Sequence, residues 1–312
     1  MKLFGYSSGI FEIYHLRSGL SGVKIPYKVI MDGLDAERNE VEAYAAAKSL
    51  EGLTWALSTT INFAATGKYK SRGDMSRSAK IYMSPARQGS FIVAMNAWVI
   101  ANPFLSVVAL GGGVGLVSPY INKTIEYVFG KALGNISGIP DGFKKYYKRL
   151  SKEEKNQLEM LVQRIEPPLS RAHSVVGQTA GEVRFISKRT ELFKMDDNTK
   201  EYIEAKPANA PEILETNVTA YNVVSRNGRM FDPDNNCTAA FTLVKSPLKG
   251  TGQIVTTSLD QYQAGRKGMV KVTADRVQTE SGRLKKFLVT AAEEIAPPDW
   301  RNGQDPLRAV RK

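Results

Sequence analysis

An uncharged stretch of 35 residues, 88–122, interrupts a chain in which 24% of the residues are charged. It reads QGSFIVAMNAWVIANPFLSVVALGGGVGLVSPYIN. Exposing this much apolar surface to water is unfavourable, so the stretch must lie either in a protein core or in a membrane. Basic residues flank it on both sides: Lys68, Lys70, Arg72, Arg77, Lys80 and Arg87 come before it, and Lys123, Lys131, Lys144, Lys145, Lys148 and Arg149 come after it.

Burial in a core is the first interpretation of this stretch. Lys80–Met83 and Ser90–Val99 have the composition of two strands, separated by a segment with the Pro and Gly that a turn needs. The second strand is apolar at nearly every position, which is typical of a strand covered on both faces. Asn102-Pro103 ends the run. We expect residues 104–117 to form a buried helix or loop, loosened by glycine.

Membrane insertion is the alternative. A spanning helix needs about 20 apolar residues. Residues 104–121 supply 18, but four of them are glycine and Pro119 lies near the end. A hairpin of residues 91–121 that dips into one leaflet, with basic residues on the same side at both ends, fits these lengths better than a full span. It would place five side chains in lipid: Phe104, Leu105, Leu110, Val114 and Leu116.

No motif in the chain fixes a reaction, a cofactor or a metal. The glycines of 111–115 lack the Gly-Lys-Ser/Thr ending of a phosphate loop, so close packing explains them better. A single cysteine, Cys237, and two histidines, His15 and His173, are too few for a thiolate or imidazole zinc site. The acids within 32–42 are expected to stabilise the start of a helix. An enzyme would need these acids to meet one of the histidines.

The positive charge of the chain is concentrated in one region. The net charge is +12, and residues 51–150 carry twelve Lys and Arg against four Asp and Glu. A positive field favours anionic partners, which means nucleic acid or an anionic membrane surface. An ordinary solubilising surface is the alternative explanation.

Two basic segments are the candidate contacts to nucleic acid. The run 144–149 interleaves cations with two tyrosines, which suits phosphate contact and base stacking. A solvated helix turn with half-buried tyrosines is the preferred explanation of this run by itself. The hairpin 266–286 carries a basic strand face on a β-rich domain. Together they supply the predicted nucleic-acid-binding residues: Lys144, Lys145, Lys148, Arg149, Arg266, Lys267, Lys271, Arg276, Arg283, Lys285 and Lys286.

The second half of the chain changes to short candidate strands, which predicts a small closed barrel of the SH3-like or OB type. Arg226-Asn227-Gly228-Arg229 predicts a hairpin turn, because Asn-Gly accepts the positive φ that such a turn requires. We predict a short strand over 253–257 and a short helix over 258–263. Eight strands are predicted in all: 182–187, 191–195, 217–225, 229–231, 238–245, 253–257, 269–277 and 283–291.

The predicted fold class is α+β in two parts. A small sheet with long helices and the buried apolar segment comes first, and a mainly β, barrel-like domain follows. The predicted organisation is an N-terminal arm at 1–24, an α+β domain at 25–166, a linker at 167–181, the barrel at 182–295 and a disordered basic tail at 296–312. The N-terminus lacks the features of a signal peptide.

Three segments carry a resemblance to a known family. They are DAERNEVEAYAAAKSLEGLTWALSTTINFAATG, IYMSPARQGSFIV and SGRLKKFLV. Over most of 25–295 the chain resembles an uncharacterised family of bacterial and prophage-borne proteins. The resemblance implies a bacterial or phage cytoplasmic setting and assigns a role to no residue.

The sequence therefore leads to one expected function and one alternative. We expect a non-enzymatic protein that binds nucleic acid through its basic surfaces, without a cofactor. The alternative is a membrane-associated protein, located at the inner membrane, that inserts residues 91–121. The oligomeric state is not predicted.

Overall fold

A computed structural model describes residues 13–15, 21–69, 79–87, 91–100, 103–109, 114–136 and 138–295. The chain forms two compact units, with the boundary between Glu204 and Ala205. Most of the predicted arm at 1–24, Leu110 and the predicted tail at 296–312 lie outside the described residues.

The first unit is built on an antiparallel sheet. Its strands are β1 (Ile13–His15), β2 (Ser21–Asp32), β3 (Ala79–Arg87), β4 (Phe91–Ile100), β5 (Glu182–Ser187) and β6 (Thr190–Met195). They lie in the order β3-β4-β2-β5-β6, and β1 pairs with the start of β2. The central strand β2 therefore pairs on one side with β4, which belongs to the uncharged stretch. On its other side it pairs with β5, which lies 150 or more residues later in the chain.

Helices cover one face of this sheet. They are α1 (Ala43–Thr66), α2 (Pro103–Val108), α3 (Val114–Ala132), α4 (Asp141–Tyr147), α5 (Lys152–Arg164), α6 (Glu166–Ala172) and α7 (Asp197–Ile203). Short 3-10 turns lie at Leu34–Arg38 and His173–Val175. α1 and α3 pack on the strands and on each other. α1 crosses α6 closely, since a Cβ on Gly52 would lie 2.3 Å from the Pro168 carbonyl oxygen.

The part of the uncharged stretch that the structure describes contributes to this core, as the first interpretation predicted. Val93, Met95, Ala97 and Val99 of β4 are buried, and so are Leu105 and Val108 of α2. Coverage of β4 on both faces was wrong, however. Its burial alternates along the strand, because helices cover only the face that carries the odd-numbered residues. Within the described ranges, no helix is long and apolar enough to cross a membrane.

The domain boundary lies later than the sequence indicated. The predicted linker, 167–181, contains most of α6, the 3-10 turn and a buried β-bridge between Val176 and Ala180. β5 and β6 lie within the predicted barrel domain, but they extend the first sheet, where β5 pairs with β2 and β6 pairs with β5. α5 ends at Arg164, just before Pro167-Pro168, and α6 begins at Glu166. The two prolines lie in the first turn of α6, where no backbone donor is lost.

The second unit is a small closed β-barrel, as the strand pattern predicted. Its strands are β7 (Lys206–Pro207), β8 (Glu212–Asn222), β9 (Asn227–Asp232), β10 (Cys237–Leu243), β11 (Met269–Gln278) and β12 (Leu284–Glu294). The order β12-β10-β9-β8-β11 closes through the β11–β12 hairpin, and β7 adds to the edge of β11. Only β10 and β12 pair in parallel. Phe241 and Phe287 are central to the barrel core.

Two local predictions in this unit were wrong. The strand at 253–257 is part of a helix, α8 (Thr251–Gln263), whose buried Thr251, Val255 and Ser258 follow the helical period. The β-branched residues between them have strand propensity, which obscured that period. The β8–β9 turn also lies earlier than predicted, at 223–226. There the Asn222 carboxamide oxygen accepts hydrogen bonds from two backbone N–H groups and Arg226 takes the positive φ.

Candidate nucleic-acid interface

The basic run 144–149 spans the end of α4 and the turn before α5. α4 buries Phe143 and Tyr146 on one side, which leaves Lys144, Lys145 and Lys148 exposed on the other. Tyr146 packs against Tyr120 with ring centroids 5.2 Å apart. The tyrosines of the run are therefore structural, as the solvated-helix alternative held, and the run offers cations but little aromatic surface.

The cations of this run are only partly neutralised. Lys144 forms a 2.7 Å ion pair with Asp141, and Lys145 lies 4.8 Å from the ring centroid of Tyr146. The Arg149 guanidinium donates a 2.9 Å hydrogen bond to the backbone carbonyl of Val107. Lys148 makes no ion pair with any residue that the structure describes.

The start of α5 enlarges this surface. Ser151 and Glu154 form a capping box, in which the Glu154 carboxylate accepts a 2.7 Å hydrogen bond from the Ser151 backbone N–H. Ser151 followed three residues later by Glu154 is also the sequence pattern of a capping box. The acidic charge of Glu154 thus serves the helix end, while Lys152 and Lys155 add two cations beside the run. We call the combined surface the α4–α5 patch: Lys144, Lys145, Lys148, Arg149, Lys152 and Lys155.

The barrel hairpin, by contrast, is not a continuous basic face. Lys271 lies between two acids in the strand register, Glu215 on β8 and Glu293 on β12. Its Nζ is 3.7 Å from the Glu215 carboxylate. Arg276 is half-buried and forms ion pairs with both Glu212 and Asp234. These contacts assign the two cations to the stability of the barrel wall.

The remaining cations of the hairpin lie at its two ends. Arg266 and Lys267 precede β11, at the end where Val270 pairs with Glu294. Lys286 pairs with Val277 at the opposite end, close to Arg283 and Lys285. Seven residues of strand separate the two pairings, which is about 23 Å. The sequence placed these cations on one hairpin, but the register divides them into two small groups.

A surface that the sequence analysis missed lies on the open face of the first sheet. The even-numbered residues of β2, β3 and β4 point away from the helices, and beyond Gly22 each one that the structure describes is half-buried or exposed. Lys80, Trp98 and Lys24 form one row across the three strands, and Tyr82, Asn96 and Pro26 form the next. We call this surface the open sheet face. Its alternation in β2 was visible in the sequence, but the pairing that assembles it was not.

Among the described side chains, no hydrogen bond or ion pair joins His173 to the acids of 32–42. His173 is buried, with its ring nitrogens 2.7 Å from the Leu169 carbonyl oxygen and 3.0 Å from the Thr199 hydroxyl. Burial lowers the pKa of His173, which favours its neutral form. Glu42 caps α1, and two backbone N–H groups hold the pKa of its carboxyl below the usual range. The side chain of His15 lies outside the described residues.

The acids of 32–42 also have structural partners. Asp32 accepts hydrogen bonds from the backbone N–H of Gly33 and from Arg184, and Asp35 pairs with Arg38. Within the described residues, no group of three or more His, Cys, Asp and Glu side chains could hold a metal ion.

A cleft of about 350 Å³ lies between α3, the following loop and β6. Its floor is aromatic, formed by Tyr127, Phe143 and Phe193. Three charged residues line the cleft: Lys123 and Glu126, which form a 2.5 Å ion pair with each other, and Glu191.

The predicted membrane contacts are divided between core and surface. Leu105 is buried and Phe104 is half-buried, whereas Leu116 is 38% exposed. Val114 begins α3, with its side chain outside the described residues, as is the whole of Leu110. The hairpin of 91–121 would also require β4 to leave the sheet, where it pairs with both β2 and β3.

Comparison with known proteins gives the family but no role. No curated protein and no solved structure matches the chain. Residues 210–293, which span most of the barrel, match a model described as a family of unknown function, DUF7947. Residues 28–204, more than half of the chain and nearly all of the first unit, match a model described as a domain of unknown function, DUF7946. The chain therefore belongs to the family that shares the DUF7946 domain.

Proposed function

We propose that this protein is a non-enzymatic binding protein that contacts nucleic acid through the α4–α5 patch. The observation that carries the proposal is the density of cations there. Six Lys and Arg lie within residues 144–155, and of the two acids in that segment Glu154 is engaged in the helix cap. Phosphate groups are the anions that such a surface attracts, by charge alone and without base specificity.

The end of the barrel hairpin that carries Arg283, Lys285 and Lys286 is a second contact in this proposal. The other end, with Arg266 and Lys267, lies beside acidic strand ends and contributes less. A bacterial or phage setting and a cytoplasmic location complete the proposal. They rest on the resemblance of the quoted segments and on the character of such mobile-element families.

The salt dependence of binding tests this function. The affinity of the full chain for a fluorescent oligonucleotide is measured by anisotropy over a range of salt concentrations. Each phosphate contact that is lost should reduce the slope of log K against log salt by about 0.7 for a single strand or 0.9 for a duplex. We expect Lys148→Gln with Lys152→Gln to lower the slope by more than one.

Matched controls separate this effect from a general loss of charge. Lys48→Gln with Lys249→Gln removes two exposed lysines from other surfaces. We expect this pair to leave the slope close to that of the wild type. Equal slopes for the two double variants would show that the α4–α5 patch makes no particular contact.

Membrane association is the second candidate, and one observation favours it. Val107 is 65% exposed at the end of α2, and Leu116 is exposed at the start of α3. Co-sedimentation with anionic and neutral vesicles tests it. Recovery of the protein only in the supernatant removes this candidate. A vesicle-bound fraction that resists high salt and is lost in Val107→Asp with Leu116→Asp supports it.

A further inference from the structure

The open sheet face has a composition suited to a ligand. α1 and α3 cover the odd-numbered side of β2 and β4, whereas the described even-numbered side chains beyond Gly22 are half-buried or exposed. Over residues 24–30, 80–84 and 92–100, this side carries three lysines, one tryptophan and one tyrosine, and no acid. A sheet face that merely faced water would not need two aromatic side chains.

Trp98 lies at the centre of a cationic row. It pairs in register with Lys80 on β3 and with Lys24 on β2. Lys24 Nζ lies 5.8 Å from the centroid of the indole ring. The indole leans toward Gly22, where an added Cβ would lie 4.0 Å from Trp98 Cε3. An aromatic surface with a lysine on each side offers stacking and charge together.

Tyr82 supplies a second aromatic group in the neighbouring row. It is 50% exposed and pairs in register with Asn96. Tyr82 and Trp98 are therefore diagonal neighbours on adjacent strands, with a spacing of about 7–8 Å. Two successive bases of an extended single strand fit this spacing, and the Asn96 carboxamide between them can bond to a base edge.

Positive charge continues from these rows along β2. Lys28 is exposed two residues beyond Pro26, in register with Ala94. On the β5 side of the sheet the cations are neutralised instead, since Arg184 pairs with Asp32 and Glu182. Charge and aromatic surface thus coincide only on the half of the face formed by β3, β4 and β2.

We propose that the open sheet face is a binding site for single-stranded nucleic acid. Bases stack on Tyr82 and Trp98, and phosphates lie against Lys24, Lys28 and Lys80. A duplex hides its base faces in its own stack, so this site requires an unpaired strand. The inference rests on the proposed function and adds to the α4–α5 patch a second site that selects the strand type.

Anisotropy with oligothymidine of about 16 nucleotides, and with a duplex of the same length, tests this site on the full chain. Tyr82→Ala should weaken single-strand binding by about 5- to 150-fold, the range measured for the loss of one stacked base. Duplex binding should change less than twofold. Lys28→Gln with Lys80→Gln should lower the salt slope for the single strand by about 1.4.

Tyr44 and Lys48 provide matched controls. They are exposed on α1, on the opposite side of the sheet, and Tyr44 is 75% exposed. Tyr44→Ala and Lys48→Gln should leave single-strand affinity within twofold of the wild type. Circular dichroism of each variant shows whether it is folded. If Tyr82→Ala does not fold, ultraviolet crosslinking of the wild type to oligothymidine replaces it, with adducts expected in peptides covering 79–87 or 91–100.

Four results would overturn the inference. Salt-dependent binding that Tyr82→Ala and the lysine pair leave unchanged would remove this site and retain the proposed function. Crosslinks confined to 141–155 would have the same meaning. A change in oligomeric state on Tyr82→Ala, without a change in binding, would make the face a contact between two copies. Absence of any binding at low salt would remove both proposals together.

Discussion

Arg276 Nε donates a 2.5 Å hydrogen bond to Glu212 Oε1 across the β11–β8 side of the barrel. The same guanidinium pairs with Asp234 and lies 5.4 Å from the ring centroid of Phe287. The hydrogen bond to Glu212, which is the larger effect, raises the pKa of Arg276 against its partial burial. Arg276, one of the predicted nucleic-acid-binding residues, therefore already has its ionic partners within the protein.

Arg276→Gln should consequently affect stability and not binding. Loss of the ion pairs with Glu212 and Asp234 should cost about 1 kcal/mol in the free energy of unfolding, since both pairs are partly exposed. Affinity for the oligonucleotide should stay within twofold of the wild type. Urea denaturation and anisotropy on the same preparation measure both quantities. A stable variant with clearly weakened binding would show that Arg276 does contact nucleic acid.

Gly228 should be intolerant of a side chain. A Cβ at this position would lie 2.3 Å from the Ala220 carbonyl oxygen and 2.4 Å from Phe241 Cε1. Gly228→Ala should therefore lower the free energy of unfolding by about 1–3 kcal/mol, the usual cost of overpacking a core. Denaturant unfolding followed by circular dichroism measures it.

Gly252 provides the comparison for that substitution. It lies inside α8, where an added Cβ would meet only Leu243 Cδ2, at 3.9 Å. Gly252→Ala should stabilise the protein by up to about 1 kcal/mol, because alanine has the higher helix propensity. If both alanine variants were equally tolerated, the close packing of β9 on Phe241 would be incorrect.

Stability should fall as the pH drops below the normal range of histidine. Burial lowers the pKa of His173 in the folded state, although the hydrogen bond to Leu169 opposes the shift. The unfolded chain therefore binds the proton more readily. The stabilisation is complete above the unfolded pKa of about 6.5 and is lost progressively below it, by at most about 1.4 kcal/mol per pH unit.

Unfolding experiments between pH 7.5 and 5.5 test this dependence with two variants. His173→Gln should be less stable at pH 7.5, since it loses the hydrogen bonds of the imidazole, but its stability should change less with pH. His15→Gln serves as the control and should retain the dependence of the wild type. A wild-type stability that is flat over this range would contradict the buried, neutral histidine.

Periodicity predicted most elements of the fold and failed where distant residues decide the structure. The alternation of β2, the helix α1 and the capping box of α5 follow from local patterns. β5 and β6 have the composition of barrel strands. Only the pairing of β5 with β2, 150 or more residues earlier, and of β6 with β5 places them in the first sheet. A single sequence carries no direct record of such long-range pairing.

The candidate surfaces likewise differ in how much of them the sequence could predict. The α4–α5 patch is local, so its cations were visible as a run in the sequence. Lys24, Lys80 and Trp98 are separated by up to 74 positions and meet only because β4 pairs with both β2 and β3. The barrel hairpin is the opposite case. Its cations are close in sequence, but Lys271 and Arg276 are paired with acids from other strands.

The most direct test of the central claim is the affinity of the full chain for single-stranded oligothymidine as a function of salt concentration. The account predicts measurable binding at low salt that weakens steeply as salt rises, with a slope that implies several phosphate contacts. Binding that is absent at low salt, or that is independent of salt, would contradict the proposal that this protein is a nucleic-acid-binding protein.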